Sequence, residues 1–175
     1  MFRPAASHQW LEMDERLCLQ LSCAARIRCL CAIFRTVSRL GDGVFWYALM
    51  LAMLVADGTA AIGPVLHMAA AGLAGTMLYR WLKAKTSRPR PFQVNRAITC
   101  NAHPLDQFSF PSGHTLHAVA FTTIAIAYYP RLAFLVIPFT FLVALSRMVL
   151  GLHYPSDVLA GAAVGAAIAG ISLAI

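Results

Sequence analysis

Charge is scarce in this chain: only 12% of its 175 residues are Asp, Glu, Lys or Arg, while 59% are hydrophobic. A soluble domain of this size needs a more polar surface, so the long apolar runs point to a protein that crosses a membrane several times. Acids are the scarcer half of the charge, seven Asp and Glu against fourteen Lys and Arg, for a formal net charge of +7. An excess of that sign marks a basic rim beside the bilayer or a site for anions. Nucleic-acid binding is disfavoured, because the basic residues sit between apolar spans with no separate polar domain. Cysteines at zinc-ligand spacing are missing: Cys18, Cys23, Cys29, Cys31 and Cys100 have no Cys or His run to complete a set and read as small buried or lipid-facing residues. The first sixteen residues contain Glu12, Asp14, Glu15 and Arg16 and no apolar core leading to a small-residue cleavage site, so insertion is expected to rely on the spans themselves.

The apolar runs give an all-α integral membrane bundle of five spans and one domain, 1–175. An N-terminal segment, 1–30, reads as an amphipathic helix at the interface, because Arg26 and Arg28 are too costly for the bilayer centre. The first span is expected from near Cys31 to Val55, with Arg35 and Arg39 facing protein or snorkelling. The second covers Thr59 to Leu82, the third His114 to Tyr129, the fourth Leu132 to Leu150 and the fifth Pro155 to Ile175. Pro138 predicts a kink or a gap in hydrogen bonding in the fourth. Gly161 and Gly165 in the fifth have the GxxxG spacing, read as ordinary helix packing. Residues 83–113 form a polar, proline-containing loop. Counting crossings brings three polar pieces to one membrane face: the end of the second span with the start of the third, and the end of the fourth with the start of the fifth.

Those pieces are Lys83-Ala84-Lys85-Thr86-Ser87-Arg88-Pro89-Arg90-Pro91, Pro111-Ser112-Gly113-His114, and Ser146-Arg147 followed by His153 and Asp157. Lys83, Arg90 and Arg147 supply three positive charges, and Arg matches phosphate oxygens with its planar fork. The backbone N–H groups of Ser112 and Gly113, at the start of a helix, can face an anion. Together these make a phosphate cradle that needs no metal. His153 and Asp157 lie one helical turn apart, so the carboxylate can accept one ring N–H of His153 and leave the other nitrogen free as a nucleophile. His114, from another piece, can protonate the leaving oxygen from the opposite side. Lys85, Arg88 and Arg96 read as ordinary anchors of a span. His117 and His67 read as satisfied interior groups, and His103 as a weaker candidate for substrate contact. Asp42, between Gly41 and Gly43, either caps a helix or lines the site.

The three pieces, K-x6-RP, PSGH and SR-x5-H-x3-D, resemble the three motifs of the type-2 phosphatidic acid phosphatase superfamily, in order and at span ends, over roughly residues 75–165. The resemblance implies His153 as nucleophile, Asp157 as its partner, His114 as general acid, and Lys83, Arg90, Ser112, Gly113 and Arg147 as phosphate ligands. It also implies no metal or other cofactor. The short chain resembles compact bacterial undecaprenyl-pyrophosphate phosphatases. The expected function is a membrane lipid phosphatase acting on undecaprenyl pyrophosphate, phosphatidate, phosphatidylglycerophosphate or a lipid A phosphate. The competing readings are a lipid phosphotransferase with the same residues, a vanadate-dependent haloperoxidase and a non-catalytic lipid-binding scaffold. The expected partners are the bilayer and the phosphorylated lipid; nothing specifies an oligomeric state. Thirteen of the fourteen Lys and Arg fall on the active face and only Arg131 opposite it, which alone would put that face in the cytoplasm. Several of those charges belong to the site, and bacterial relatives of this kind face outward. The expected location is therefore the bacterial inner membrane with the site on the periplasmic face.

Overall fold

A computed structural model describes residues 5–99, 102 and 106–175, with side chains from 11 onward. Cys100 and His103 lie outside the described residues. Helix α1 (Ala5–Ser22) leads through a turn of 3-10 helix (Cys23–Arg26) into α2 (Arg28–Arg39). A broken turn, Leu40–Val44, separates α2 from α3 (Phe45–Asp57). Then follow α4 (Ile62–Thr86), the single turn α5 (Pro91–Val94), α6 (Gly113–Tyr128), α7 (Ala133–Val149) and α8 (Pro155–Ala174). Described residues include no strand.

The stretches Arg28–Val94, Pro130–Val149 and Pro155–Ala174 are long and apolar enough to cross a bilayer. Large apolar side chains point outward around the bundle, among them Val55, Leu66, Phe134, Leu159 and Ile171. That is the surface of a protein solvated by lipid. The expected crossings correspond to the α2–α3 unit, α4, α6, α7 and α8. Helix α6 has 16 residues, about 24 Å at 1.5 Å each, and sits at the centre. Its Ala118, Phe121, Ile124 and Ala125 pack with Trp46, Met50 and Met53 of α3, Met68 and Ala71 of α4, Val136 and Val143 of α7, and Ala169 of α8. Polar groups inside the bundle find partners across helices. Thr122 and Thr140 hydroxyls meet at 2.6 Å; His67, expected in the interior, is instead half-buried and bonds the exposed Tyr128 hydroxyl at 3.0 Å and Ser172 at 2.8 Å.

One expectation needs correction. The first span is not one helix from Cys31 to Val55: it breaks at Asp42 (φ −81°, ψ 22°) and Gly43 (φ 121°, ψ −38°). The reason is local, because Gly43 takes a left-handed backbone that side-chain-bearing residues rarely adopt. Helix α3 alone has 13 residues, about 20 Å. It is completed on the active side by the break and by α2, whose Arg28, Arg35 and Arg39 are exposed. Helix α7 runs through Pro138 without interruption, although proline has no N–H for the carbonyl four residues back.

Helix starts and stops sit where the site needs them. Helix α4 ends at Ser87 in a left-handed conformation (φ 47°), and Pro89 prevents its continuation. Helix α8 starts at Pro155, and the Asp157 carboxylate accepts the Tyr154 backbone N–H at 2.8 Å. The glycine pair on α8 is more than generic packing. A Cβ at Gly161 would collide with the Ser112 carbonyl oxygen, and one at Gly165 with that of Leu116. The backbones of α6 and α8 therefore touch. Helix α1 lies across this end of the bundle. Asp14 accepts the Ser156 N–H at 2.9 Å, and Glu15 accepts from Asn95 at 2.6 Å.

Gly165→Val should lower stability by about 1–3 kcal/mol through overpacking, read as a lower Tm in detergent. An unchanged Tm would mean the two backbones are not in contact.

Candidate active site

The three polar pieces converge as the crossing count required. Lys83, Arg90, Gly113, His114, Arg147 and His153 line one cavity of about 710 Å³. Lys83 comes from the last turn of α4, and Arg90 from the extended step between α4 and α5. Gly113 and His114 open α6, Arg147 lies in the last turn of α7, and His153 sits in the short link before α8. Buried side chains include those of Lys83, Arg90, Arg147 and His153. The cavity continues between α3, α4 and α6 over Tyr47, Met50, Leu51, Leu54, Val65 and Leu73, so it has a cationic end and an apolar end.

His153 is held in one tautomer. Its Nδ1 lies 2.7 Å from the Ser109 carbonyl oxygen, an acceptor only, so Nδ1 carries the proton and Nε2 keeps its lone pair. Nε2 lies 3.4 Å from Nη1 of Arg90, and His153 is one of the residues lining the cavity. Burial, then the charges of Arg147, Arg90 and Lys83, hold the imidazole well below its ordinary value of 6.5. The direct hydrogen bond expected from Asp157 is absent: its Oδ2 is 3.8 Å from Nδ1. Asp157 instead receives Arg88 on Oδ1 at 2.7 Å and the Tyr154 N–H on Oδ2. Its place beside His153 is therefore set by the start of α8 and not by a bond to the imidazole.

Arg88 therefore is not the ordinary span anchor its sequence context suggested. It joins Asp157, Asp14 at 2.7 Å and the Ser156 hydroxyl at 2.7 Å, and its guanidinium stacks 4.2 Å from the Tyr154 ring centre. Lys85 and Arg96 are exposed, as expected of anchors. Ser112 also departs from expectation. Its backbone N–H, read as a phosphate donor, goes to the Asp157 carbonyl at 3.0 Å, and its hydroxyl pairs with Thr115 at 2.9 Å. Ser112 joins α6 to α8 from behind the cavity wall, and Gly113 is the residue that faces the space. His117 is satisfied by the carbonyls of Gly113 at 2.9 Å and Gly72 at 3.0 Å, the interior role assigned to it.

Two carboxylates enter the site that motif reading left out or left open. Asp106 bridges the cradle, accepting Lys83 on Oδ2 at 2.6 Å and Arg90 on Oδ1 at 2.8 Å. Burial pushes its carboxyl up, but hydrogen bonds and charge from Lys83 and Arg90 outweigh that and hold it below the ordinary value. It is the only acid between Lys83 and Gly113, in a stretch with five Lys and Arg, and that isolation was the available signal. Asp42 is the second: its Oδ1 lies 3.4 Å from Nε2 of His114.

A helical membrane bundle that ends in a buried cationic cradle, with two histidines among the residues lining it, is an arrangement able to receive an anion such as a phosphate group. The family model for the PAP2 superfamily matches residues 61–175, and the chain belongs to that superfamily. It is 34% identical over 114 residues to the undecaprenyl-diphosphatase BcrC of Bacillus subtilis, covering 65% of this chain and 58% of that protein. It is 39% identical over 92 residues to the decaprenylphosphoryl-5-phosphoribose phosphatase of Mycobacterium tuberculosis, covering 51% of this chain and 49% of that one. The chain thus spans about half the length of the curated relatives it matches. The crystal structure of Aquifex aeolicus LpxE superposes with a TM-score of 0.76 at 27% identity, covering 90% of this chain and 93% of that one. The chain is an integral membrane protein, and these relatives are bacterial.

Removing Arg88 leaves the buried Asp157 carboxylate without its cation. Arg88→Ala should destabilise the fold by about 3–5 kcal/mol, measured as a Tm loss that Arg88→Lys partly restores. A neutral Arg88→Ala would reduce Arg88 to a surface anchor.

Proposed function

We propose that this chain is a membrane lipid phosphatase that works through a phosphohistidine. The observation that carries this reading is the unprotonated Nε2 of His153, set by the Ser109 carbonyl on Nδ1 and facing Arg90 at 3.4 Å, in a histidine that lines one cavity with Lys83, Arg90, Arg147 and His114. The three cations receive the phosphate oxygens and displace Asp106 from Lys83 and Arg90. His153 Nε2 attacks phosphorus, and the P–O bond to the leaving group breaks as His114 gives that oxygen a proton. The phosphorylated ring is cationic; the Ser109 carbonyl and the nearby Asp157 carboxylate stabilise it. Water then attacks phosphorus while His114 takes its proton. The P–N bond breaks, releasing inorganic phosphate and neutral His153. The protein's cations do the charge stabilisation that metal ions supply in other phosphoryl-transfer enzymes, so the reaction is metal-independent.

The substrate carries a phosphate or diphosphate on an apolar tail, because the cavity's cationic end continues into the apolar cleft between α3 and α4. The undecaprenyl-diphosphatase and decaprenyl-linked phosphatase named among the relatives support a polyprenyl diphosphate as the first compound to test, with phosphatidate, phosphatidylglycerophosphate and lipid A phosphate in the same panel. The chain sits in the bacterial inner membrane with the site on the periplasmic face. Labelling single cysteines placed in the 92–110 loop with an impermeant reagent in intact cells checks this: labelled means periplasmic, protected means cytoplasmic.

His153→Ala should release no phosphate from any lipid in the panel while keeping the wild-type Tm, and wild-type release would remove the nucleophile. Wild-type release should persist in excess chelator; dependence on added magnesium would remove the metal-free scheme. Because the neutral form of His153 persists as pH falls below its ordinary value, the acid limb of kcat/KM should lie below pH 6.5. A limb above that pH would mean His153 gains its proton like a solvent-exposed histidine.

A further inference from the structure

The break between α2 and α3 is unexpected for a membrane helix. Backbone groups that leave the helical pattern at membrane depth are tolerated where they are buried in protein or line a cavity. Gly41, Asp42 and Gly43 all line the cavity that holds His114 and His153. Asp42 itself takes φ −81° and ψ 22°, the sparsely occupied bridge region where many active-site residues lie. Gly43 makes the shape possible at φ 121°, and a Cβ there would also lie 2.9 Å from the Tyr47 ring. A regular helix would carry the residue-42 side chain elsewhere. The break aims the Asp42 carboxylate at Nε2 of His114, 3.4 Å away.

We infer that Asp42 is a positioning residue for His114, the acid–base partner opposite His153. This rests on the phosphatase reading above. His114 has to turn one nitrogen toward the leaving oxygen and hold a proton there. It then has to carry positive charge when it takes the proton of the attacking water. The nearby charged groups on other elements are Arg147 on α7 and Lys83 on α4, with His117 one turn along α6 and His153 across the cavity. None of these supplies an anion. Asp42 does, from the break between α2 and α3, and it lines the same cavity. At 3.4 Å its carboxylate is within ion-pair range of the His114 ring, so it restrains the protonated ring and stabilises the imidazolium of the second step. No covalent bond to Asp42 forms, and it takes no net proton over the cycle.

The test uses leaving-group chemistry. A p-nitrophenolate leaves without a proton, whereas the alcohol of a lipid monoester needs one. For the full-length protein in detergent, kcat/KM is measured with p-nitrophenyl phosphate and with a short-chain phosphatidate. That parameter reports steps up to departure of the leaving group, so slow hydrolysis of the phosphohistidine does not enter it. Asp42→Asn should lower kcat/KM for phosphatidate by about 10- to 100-fold and for p-nitrophenyl phosphate by less than about threefold, and Asp42→Glu should restore most of the loss. The ratio of the two values is independent of the folded fraction, so partial misfolding does not obscure it. Equal losses on both substrates, or none on either, would overturn the inference while leaving the phosphatase reading intact. Turnover by His153→Ala would overturn that reading instead.

Discussion

The contact between the backbones of α6 and α8 sets the geometry of everything at the site. Gly161 and Gly165 remove the side chains that would hold the helices apart, and the Ser112 N–H closes the gap by bonding the Asp157 carbonyl. His114 follows Ser112 by two residues and His153 precedes Asp157 by four, so this one contact sets where both imidazoles begin. Packing in lipid has little hydrophobic drive between helices, and close approach of small residues supplies it through dispersion and short polar contacts.

The second constraint is electrostatic. Three buried cations at the end of a membrane bundle are costly unless an anion lies among them. Asp106 fills part of that need by bridging Lys83 and Arg90, and a phosphate would fill it more completely because it offers more oxygens to more donors. Arg88 and Asp157 solve the same problem behind His153, with Asp14 of α1 as the outer member. Helix α1 is thus bound to this end of the bundle by charge. His153 stays neutral among these charges because burial and three cations all oppose its protonation.

Apolar runs longer than a bilayer is thick admit few folds, so the helical bundle and the shared face of the three motifs were legible from spacing alone. The same holds for Lys83, Arg90, Arg147, His114 and His153, which had to meet once the crossings were counted. Arg88 was not legible. Its neighbours Lys85 and Arg96 are solvent-facing anchors, and nothing in the local sequence separates it from them. Ser112 and Asp157 bond to different partners than their spacing suggested, and Ser112 lies behind the cavity wall. A four-residue step allows a carboxylate–imidazole hydrogen bond, but the Ser109 carbonyl reaches Nδ1 first, at 2.7 Å against 3.8 Å.

What the chain's linear order determined was the class of fold and the cast of charged side chains, because bilayer thickness and the price of burying charge act on short stretches one at a time. The tertiary structure decided the pairings: Ser109 to His153, Arg88 to Asp157, Asp106 to the cradle and Asp42 to His114. Each joins parts of the chain that only the packed bundle brings together, and which acceptor wins a donor there depends on tenths of an ångström that no spacing rule encodes.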